Sequence, residues 1–219
     1  MSTLLLRLAG PMQSWGTDSK FDVRRTEREP SKSGVIGLIA AALGISRQDK
    51  ESLKELSSLR FGVRVDKEGT VIMDYHMAHA PKNPNREKKE PDSYVTKRYY
   101  LADAVFAAGL ESEDDELLKR IAEALQAPAF PLYLGRRSCP PSGRLFLGIS
   151  PKTLEEALKE DAPDTATRLI TDAKRGESGG LMRDVPLSFD PTRREYGFRR
   201  VKETMLKRAE HDPMAELEG

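Results

Sequence analysis

The sequence predicts an α+β fold of the ferredoxin-like kind, a split βαβ plait of the sort RNA-recognition modules also use, with an arm inserted in it. Three observations carry this. Apolar segments follow one another in the order strand, helix, strands, strand, helix, strand. One stretch, 80–92, has a composition that cannot bury a face. And 219 residues, 38% hydrophobic and 32% charged, with no internal repeat, suffice for a single well-filled core.

The elements follow in chain order. Leu4-Leu5-Leu6-Arg7-Leu8 is a short apolar run stopped by Gly10-Pro11, as a buried strand is. Residues 11–32 lack periodicity and read as a long ordered loop. Val35, Ile36, Leu38, Ile39, Ala42 and Leu43 fall at helical spacing and end at Gly44, a C-terminal glycine. A second helix is expected after Ser46, with Asp49 as its capping-box partner. Arg60–Asp66 and Thr70–Met77 read as a hairpin turned by Lys67-Glu68-Gly69. Lys97–Leu110 reads as one strand, Asp114–Leu125 as an amphipathic helix ended by Pro128, Tyr133–Gly148 as loop then strand, and Pro151–Glu160 as a short helix. The remainder alternates strands with loops. Pro81, Asn83, Pro84, Asn85 and Pro91 around the charged run Arg86–Glu90 make 76–100 a projecting arm. The acidic tail, 209–219, is expected to be disordered.

Composition excludes more than it names. Lys+Arg 36 against Asp+Glu 35 gives net charge +1, so partners must be sought in local charge. One cysteine, Cys139, rules out an internal disulfide and fits a reducing compartment. The apolar start is cut by Arg7, too soon for a signal-peptide core, and no run approaches the ~20 apolar residues of a membrane span. A cytoplasmic protein without membrane association is expected. No cysteine–histidine ligand set is visible, so neither metal nor cofactor is expected.

Chemistry concentrates between Gly10 and Gly34. A strand end feeds the turn Gly10-Pro11-Met12-Gln13-Ser14-Trp15-Gly16, then a cationic loop with Arg24, Thr26, Arg28 and Pro30, then Ser31-Lys32-Ser33-Gly34 at a helix start. Helix N-termini present unpaired N–H groups and the positive dipole end, which suit phosphate, and Ser31, Lys32 and Ser33 add hydroxyls and a cation there. The spacing does not match a Walker loop, so nucleotide hydrolysis is not expected.

These segments resemble the CasD family. So do the Val35-to-Gly44 helix and Leu132-Tyr133-Leu134-Gly135-Arg136-Arg137-Ser138-Cys139-Pro140, followed by Leu145-Phe146-Leu147-Gly148. The resemblance runs from Leu4 to Gly148. It implies a non-catalytic subunit of the type I-E CRISPR Cascade complex, of the RAMP superfamily, that caps the 5′ handle of the CRISPR RNA. It also implies a thumb that wraps the RNA, CasC and CasA as neighbouring subunits, and an RNA cut by a separate endonuclease, CasE. Target DNA is then met indirectly, through pairing with the guide.

The residues expected to touch RNA are Gln13, Ser14, Trp15, Arg24, Arg28, Ser31, Lys32, Ser33, Tyr75, His76, Lys97, Tyr99, Arg136, Arg137 and Ser138. Trp15 is either a core aromatic or a wall of the handle pocket. Arg24, Arg28 and Lys32 are either a solvated charge run or phosphate ligands. Arg136-Arg137 stand in a stretch free of acidic residues from Glu123 to Glu155, which makes them an anion site or a match for an acidic neighbour. Alternation puts Lys97 and Tyr99 on one face and Arg98 and Tyr100 on the other, so one face can stack a base while the other packs inward. Residues 193–208 form a second basic run. The alternative to a non-catalytic cap is a metal-independent endoribonuclease using Tyr75 or His76 with Lys97. A purely structural adaptor between subunits is the third reading.

Overall fold

Alternation of apolar residues builds the central strands. Along Ser2–Ala9, Leu4, Leu6 and Leu8 are fully buried on one face while Leu5 packs on the other. The computed structural model describes residues 1–16, 22–79, 93–174, 176–190 and 192–206. In chain order they form β1 (Ser2–Ala9), β2 (Met12–Gln13), β3 (Val23–Arg24), α1 (Lys32–Leu43), α2 (Lys50–Ser58), β4 (Arg60–Lys67), β5 (Thr70–His79) and β6 (Ser93–Ala102). Then come β7 (Val105–Ser112), α3 (Asp115–Gln126), β8 (Phe146–Ser150), α4 (Leu154–Lys159), β9 (Arg168–Asp172), β10 (Gly180–Ser188) and β11 (Glu195–Met205).

Seven strands make one sheet in the order β10-β11-β9-β4-β7-β1-β8, with every pair antiparallel. Its β8-β1-β7-β4 part is the ferredoxin-like plait: β1 and β4, joined through α1, flank the antiparallel β7. β9, β11 and β10 extend the sheet past β4. α1 and α3 cover one face over Leu4, Phe61, Val63, Phe106 and Leu110. α4 covers the other, over Ala107 and Leu169. It sits close because Gly62 and Gly109 face each other across β4 and β7. A Cβ on Gly109 would come within 2.7 Å of Leu154, and one on Gly62 within 3.0 Å of Leu158.

α1 ends and α3 starts where the sequence predicts. Ser31 caps α1 by accepting from the Gly34 N–H, and Gly44 ends it in the left-handed region at φ 72°. Asp114 caps α3. Asp49 is the cap of α2 itself, not a capping-box partner three residues on.

Two expectations are corrected. β4 and β5 do not pair with each other: both sides of β4 are taken by β7 and β9, and β5 turns away into a second sheet. Lys97–Leu110 is not one strand; it breaks at Asp103, whose positive φ of 56° separates β6 from β7. In the second sheet β6 is central, with β5 along one side and β2 and β3 along the other. β5 and β6 pair from Thr70–Ala102 to His79–Ser93, giving the base of the expected arm. The arm's charged stretch, with Lys82, Arg86, Lys88 and Lys89, lies outside the described residues, as does the tail 209–219.

Candidate nucleic-acid interface

Two glycine turns lock into each other. The backbone of Gly135 stands at φ +90°, and a Cβ there would fall 1.7 Å from the Ser14 carbonyl oxygen. A Cβ on Gly10 would fall 2.9 Å from the Pro140 carbonyl oxygen. The close approach lets the Ser14 N–H donate to the Leu134 carbonyl at 3.0 Å and the Ser142 N–H to Ala9 at 2.8 Å. A turn between β1 and β3 is thereby joined to one more than a hundred residues later.

Gln13 and Trp15 hold this joint from inside, which corrects the expectation that they face RNA. Gln13 is fully buried; its Nε2 donates to the Leu8 and Ala104 carbonyls, and its Oε1 accepts from the Trp15 indole N–H at 3.0 Å. Trp15, 1% exposed, lies so near α1 that a Cβ on Gly34 would meet its ring at 2.8 Å. Ser14 is buried too, though its backbone borders the cleft described below.

The start of α1 is likewise already filled. The Lys32 backbone N–H donates to Asp184 Oδ2 at 2.7 Å, so the helix dipole meets a carboxylate of the protein's own. Lys32 is 5% exposed, and its ammonium pairs with Asp172 at 3.2 Å. Arg199 reaches both acids, at 2.7 Å to Asp172 and 2.6 Å to Asp184, and lies over the Phe61 ring. Burial, and then Arg199 beside it, hold the Lys32 pKa below its ordinary value despite Asp172. Lys32 is therefore an internal tie between α1 and the β9-β11-β10 edge, not a surface cation. Ser31 and Ser33 are buried near it, with Ser33 Oγ donating to Ser31 Oγ at 3.4 Å.

The arginine pair divides its labour. Arg136 donates to the Tyr99 carbonyl at 3.2 Å and to the Arg24 and Arg25 carbonyls at 2.9 and 3.2 Å, with its guanidinium 4.8 Å from the Tyr100 ring centre. It rivets the turn to the 24–25 loop and β6, so the reading of Arg136 as an open anion ligand is corrected. Arg137 points to solvent and has no carboxylate partner among the described residues. Ser138 is exposed, within 3.5 Å of the Tyr100 hydroxyl. The rivet ties the backbone of Arg24 to the turn that carries Arg137; Arg24 and Arg28 are exposed and also without a carboxylate partner among the described residues. Cys139 is buried, its thiol pushed up by desolvation, and acts as packing.

On the β5–β6 ribbon Tyr75 stands opposite Lys97, and Tyr99 opposite Met73. Val71, Met73, Tyr75 and Met77 form an exposed apolar stripe on the face that carries Lys97 and Tyr99. His76 pairs with Thr96 on the other face, beside Arg98 and Tyr100. A site joining His76 to Lys97 is thus split by the ribbon; Tyr75 and Lys97 share a face. No group of three or more His, Cys, Asp or Glu among the described residues is placed to hold a metal. No helix among them is long and apolar enough to cross a membrane.

Sequence reasoning missed what closes behind α1. A cleft of about 600 Å³ is lined by residues of the interlocked turns, α1 and the start of β11, among them Phe130, Tyr133, Phe189 and Tyr196 and the exposed Arg47, Arg137 and Arg194. Arg194 and Tyr196 lie in the basic run noted from sequence; nothing local pointed to Arg47 or Phe189.

The chain belongs to the family described as CRISPR-associated protein (Cas_Cas5), whose model matches residues 3–202. It is 40% identical over 158 residues to the CRISPR system Cascade subunit CasD of Escherichia coli (strain K12), covering 67% of this chain and 70% of that protein. Among solved structures it is similar to a chain of a CRISPR RNA-guided surveillance complex, at 36% identity and TM-score 0.77 over 93% of this chain and 89% of that one. A crystal structure of a Cas protein matches at 39% identity and TM-score 0.71, over 94% and 95% of the two chains.

Proposed function

We propose that this chain is a Cascade subunit that caps the 5′ handle of the CRISPR RNA without cutting it, and so fixes the register in which the guide is presented to target DNA. The observation that carries the reading is the braced cationic corner: Arg136 is spent on three backbone carbonyls, which ties the turn carrying Arg137 to the loop carrying Arg24, and neither exposed arginine has a carboxylate partner among the described residues. Guanidinium ions carried on braced backbone and unopposed by carboxylates suit the bidentate geometry of phosphate. The similarity to CasD supports membership of a Cascade assembly; CasC and CasA as neighbours, and the cytoplasm as the place of action, belong to the proposal.

The β5–β6 ribbon supplies the second contact. Tyr75 offers a face for a base, and Lys97 directly across offers a cation for its phosphate. The same geometry speaks against an endoribonuclease that pairs His76 with Lys97, because they lie on opposite faces.

Binding of fluorescent handle RNA tests the proposal. Replacing Arg24 and Arg137 together by alanine should weaken binding about tenfold and lower the salt slope by roughly 1 to 1.5, as expected when two phosphate contacts to a single strand are lost. Unchanged affinity and slope would refute it. Appearance of a 2′,3′-cyclic phosphate product from repeat RNA in EDTA would replace it with the endoribonuclease.

A further inference from the structure

The segment that carries Arg24 and Arg28 is fastened in two places. Its first half is tied to the interlocked turns and the ribbon. The Trp15 N–H donates to Thr26 Oγ1 at 2.9 Å, Arg136 holds the Arg24 and Arg25 carbonyls, and the Lys97 N–H donates to the Asp22 carbonyl at 2.7 Å. Its second half is tied elsewhere, to the first residue of β9. Arg168 donates through Nη2 to Glu29 at 2.5 Å, through Nη1 to Glu203 of β11 at 3.0 Å, and through Nε to Glu68 of the β4–β5 turn at 3.2 Å.

Each nitrogen of this guanidinium therefore meets a carboxylate from a different segment. A planar fork of donors can do this; the point charge of a lysine cannot hold three directions at once. The three pairs are not equal. Arg168 and Glu29 are 17% and 19% exposed, against 43% for Glu68 and 54% for Glu203. Solvent and salt screen the exposed pairs, so the sheltered one, to the loop, fixes geometry best.

We infer that Arg168 is a positioning residue for RNA: through Glu29 it sets the neighbouring, exposed Arg28 against a phosphate of the bound strand. This rests on the handle-binding reading and extends it to a residue far along the chain from either turn. A free carboxylate beside a phosphate contact repels the strand. Paired with Arg168, Glu29 braces the loop instead. The tie to Glu68 reaches the foot of β5, so the loop and the ribbon are set against one guanidinium.

The sign of one substitution tests this. Glu29→Gln removes a negative charge from a surface that binds a polyanion, so a purely electrostatic role predicts tighter binding. A purely stabilising role predicts no change while the chain is folded. Positioning predicts a loss. Arg168 keeps Glu68 and Glu203 in this variant, so its charge is not left unpaired. The full chain is titrated into fluorescent handle RNA at a temperature where circular dichroism shows each variant folded. Glu29→Gln should weaken binding about threefold and lower the salt slope by about 0.7, the share of one phosphate contact to a single strand. Arg28→Ala should do the same, and the double variant should lose no more than either alone. Glu116→Gln, which removes an acid from α3, should bind at least as tightly as the wild type. Wild-type or tighter binding by Glu29→Gln, no loss with Arg28→Ala, losses that add, or an equal loss with Glu116→Gln overturns the positioning role and leaves the handle reading standing. No preference for handle over unrelated RNA of the same length overturns both.

Discussion

Arg136 and Arg137 are neighbours in sequence, and their replacement should give opposite results. Arg136→Ala removes three hydrogen bonds from a charged donor to backbone carbonyls, and a guanidinium lying over Tyr100. Hydrogen bonds to charged groups contribute about 1.5–3 kcal/mol when buried; this side chain is half-buried, so about 1 kcal/mol each is the appropriate scale. The ring contact adds about 0.5–1 kcal/mol. The loss is then about 3–4 kcal/mol, or roughly 6–16 °C in Tm for a chain of this length. Arg137→Ala, which breaks no internal contact, should stay within about 0.5 kcal/mol of the wild type. Urea unfolding of both variants, paired with handle-RNA anisotropy, separates the roles. Arg136→Ala should be destabilised, with its binding loss recovering at low temperature where the fold is intact; Arg137→Ala should be stable and bind weakly. An Arg136→Ala protein as stable as the wild type that still fails to bind would refute the reasoning, for it would make Arg136 an RNA ligand.

Three further outcomes follow from the geometry. Gly135→Ala should cost more than about 3 kcal/mol, because a Cβ 1.7 Å from the Ser14 carbonyl at φ +90° forces the turns apart; wild-type stability in a denaturation curve would contradict the interlock. Asp184→Ala should cost about 3–5 kcal/mol, since Arg199 and the start of α1 lose a buried partner; a loss below 1 kcal/mol by urea titration would mean that Asp172 suffices. Stability should also fall in acid. The Arg60 hydrogen bond holds the Glu155 carboxyl below its ordinary 4.5, and hydrogen bonds from Ser52 hold Asp49 below 3.8. Depressed folded values mean that this stability is complete above the ordinary values and is lost as pH falls through the folded ones. Glu155→Gln should therefore flatten the acid limb of a Tm-against-pH curve, and an unchanged limb would argue against the ion pair.

Much of the fold was legible because its signals are local. Ser31 and Gly44 bracket α1, Asp114 opens α3, and the apolar run of β1 stops at Gly10. The strand pairing was less so. Lys67-Glu68-Gly69 looks like a hairpin turn, yet the partner of β5 is β6, beyond the arm, and no local rule displays that. Asp103 breaks an apolar run without glycine or proline, so β6 and β7 read as one strand. The site shows the same divide. The two glycine turns were visible as motifs, and their charges drew attention to the region where the structure joins them. The partners of those charges were not visible: Lys32 meets Asp172 and Asp184 some 140 and 152 positions away, and Arg136 is satisfied by carbonyls, which every residue carries. An unopposed arginine in sequence is unopposed only by acids.

The most direct measurement is to sequence the RNA that co-purifies with the full chain from cells expressing a CRISPR array, after ultraviolet crosslinking. A handle cap predicts short RNAs that share one 5′ end, crosslinked through residues of the 22–30 and 134–138 turns. RNA with scattered 5′ ends, or no RNA crosslinked to this chain at all, would contradict it.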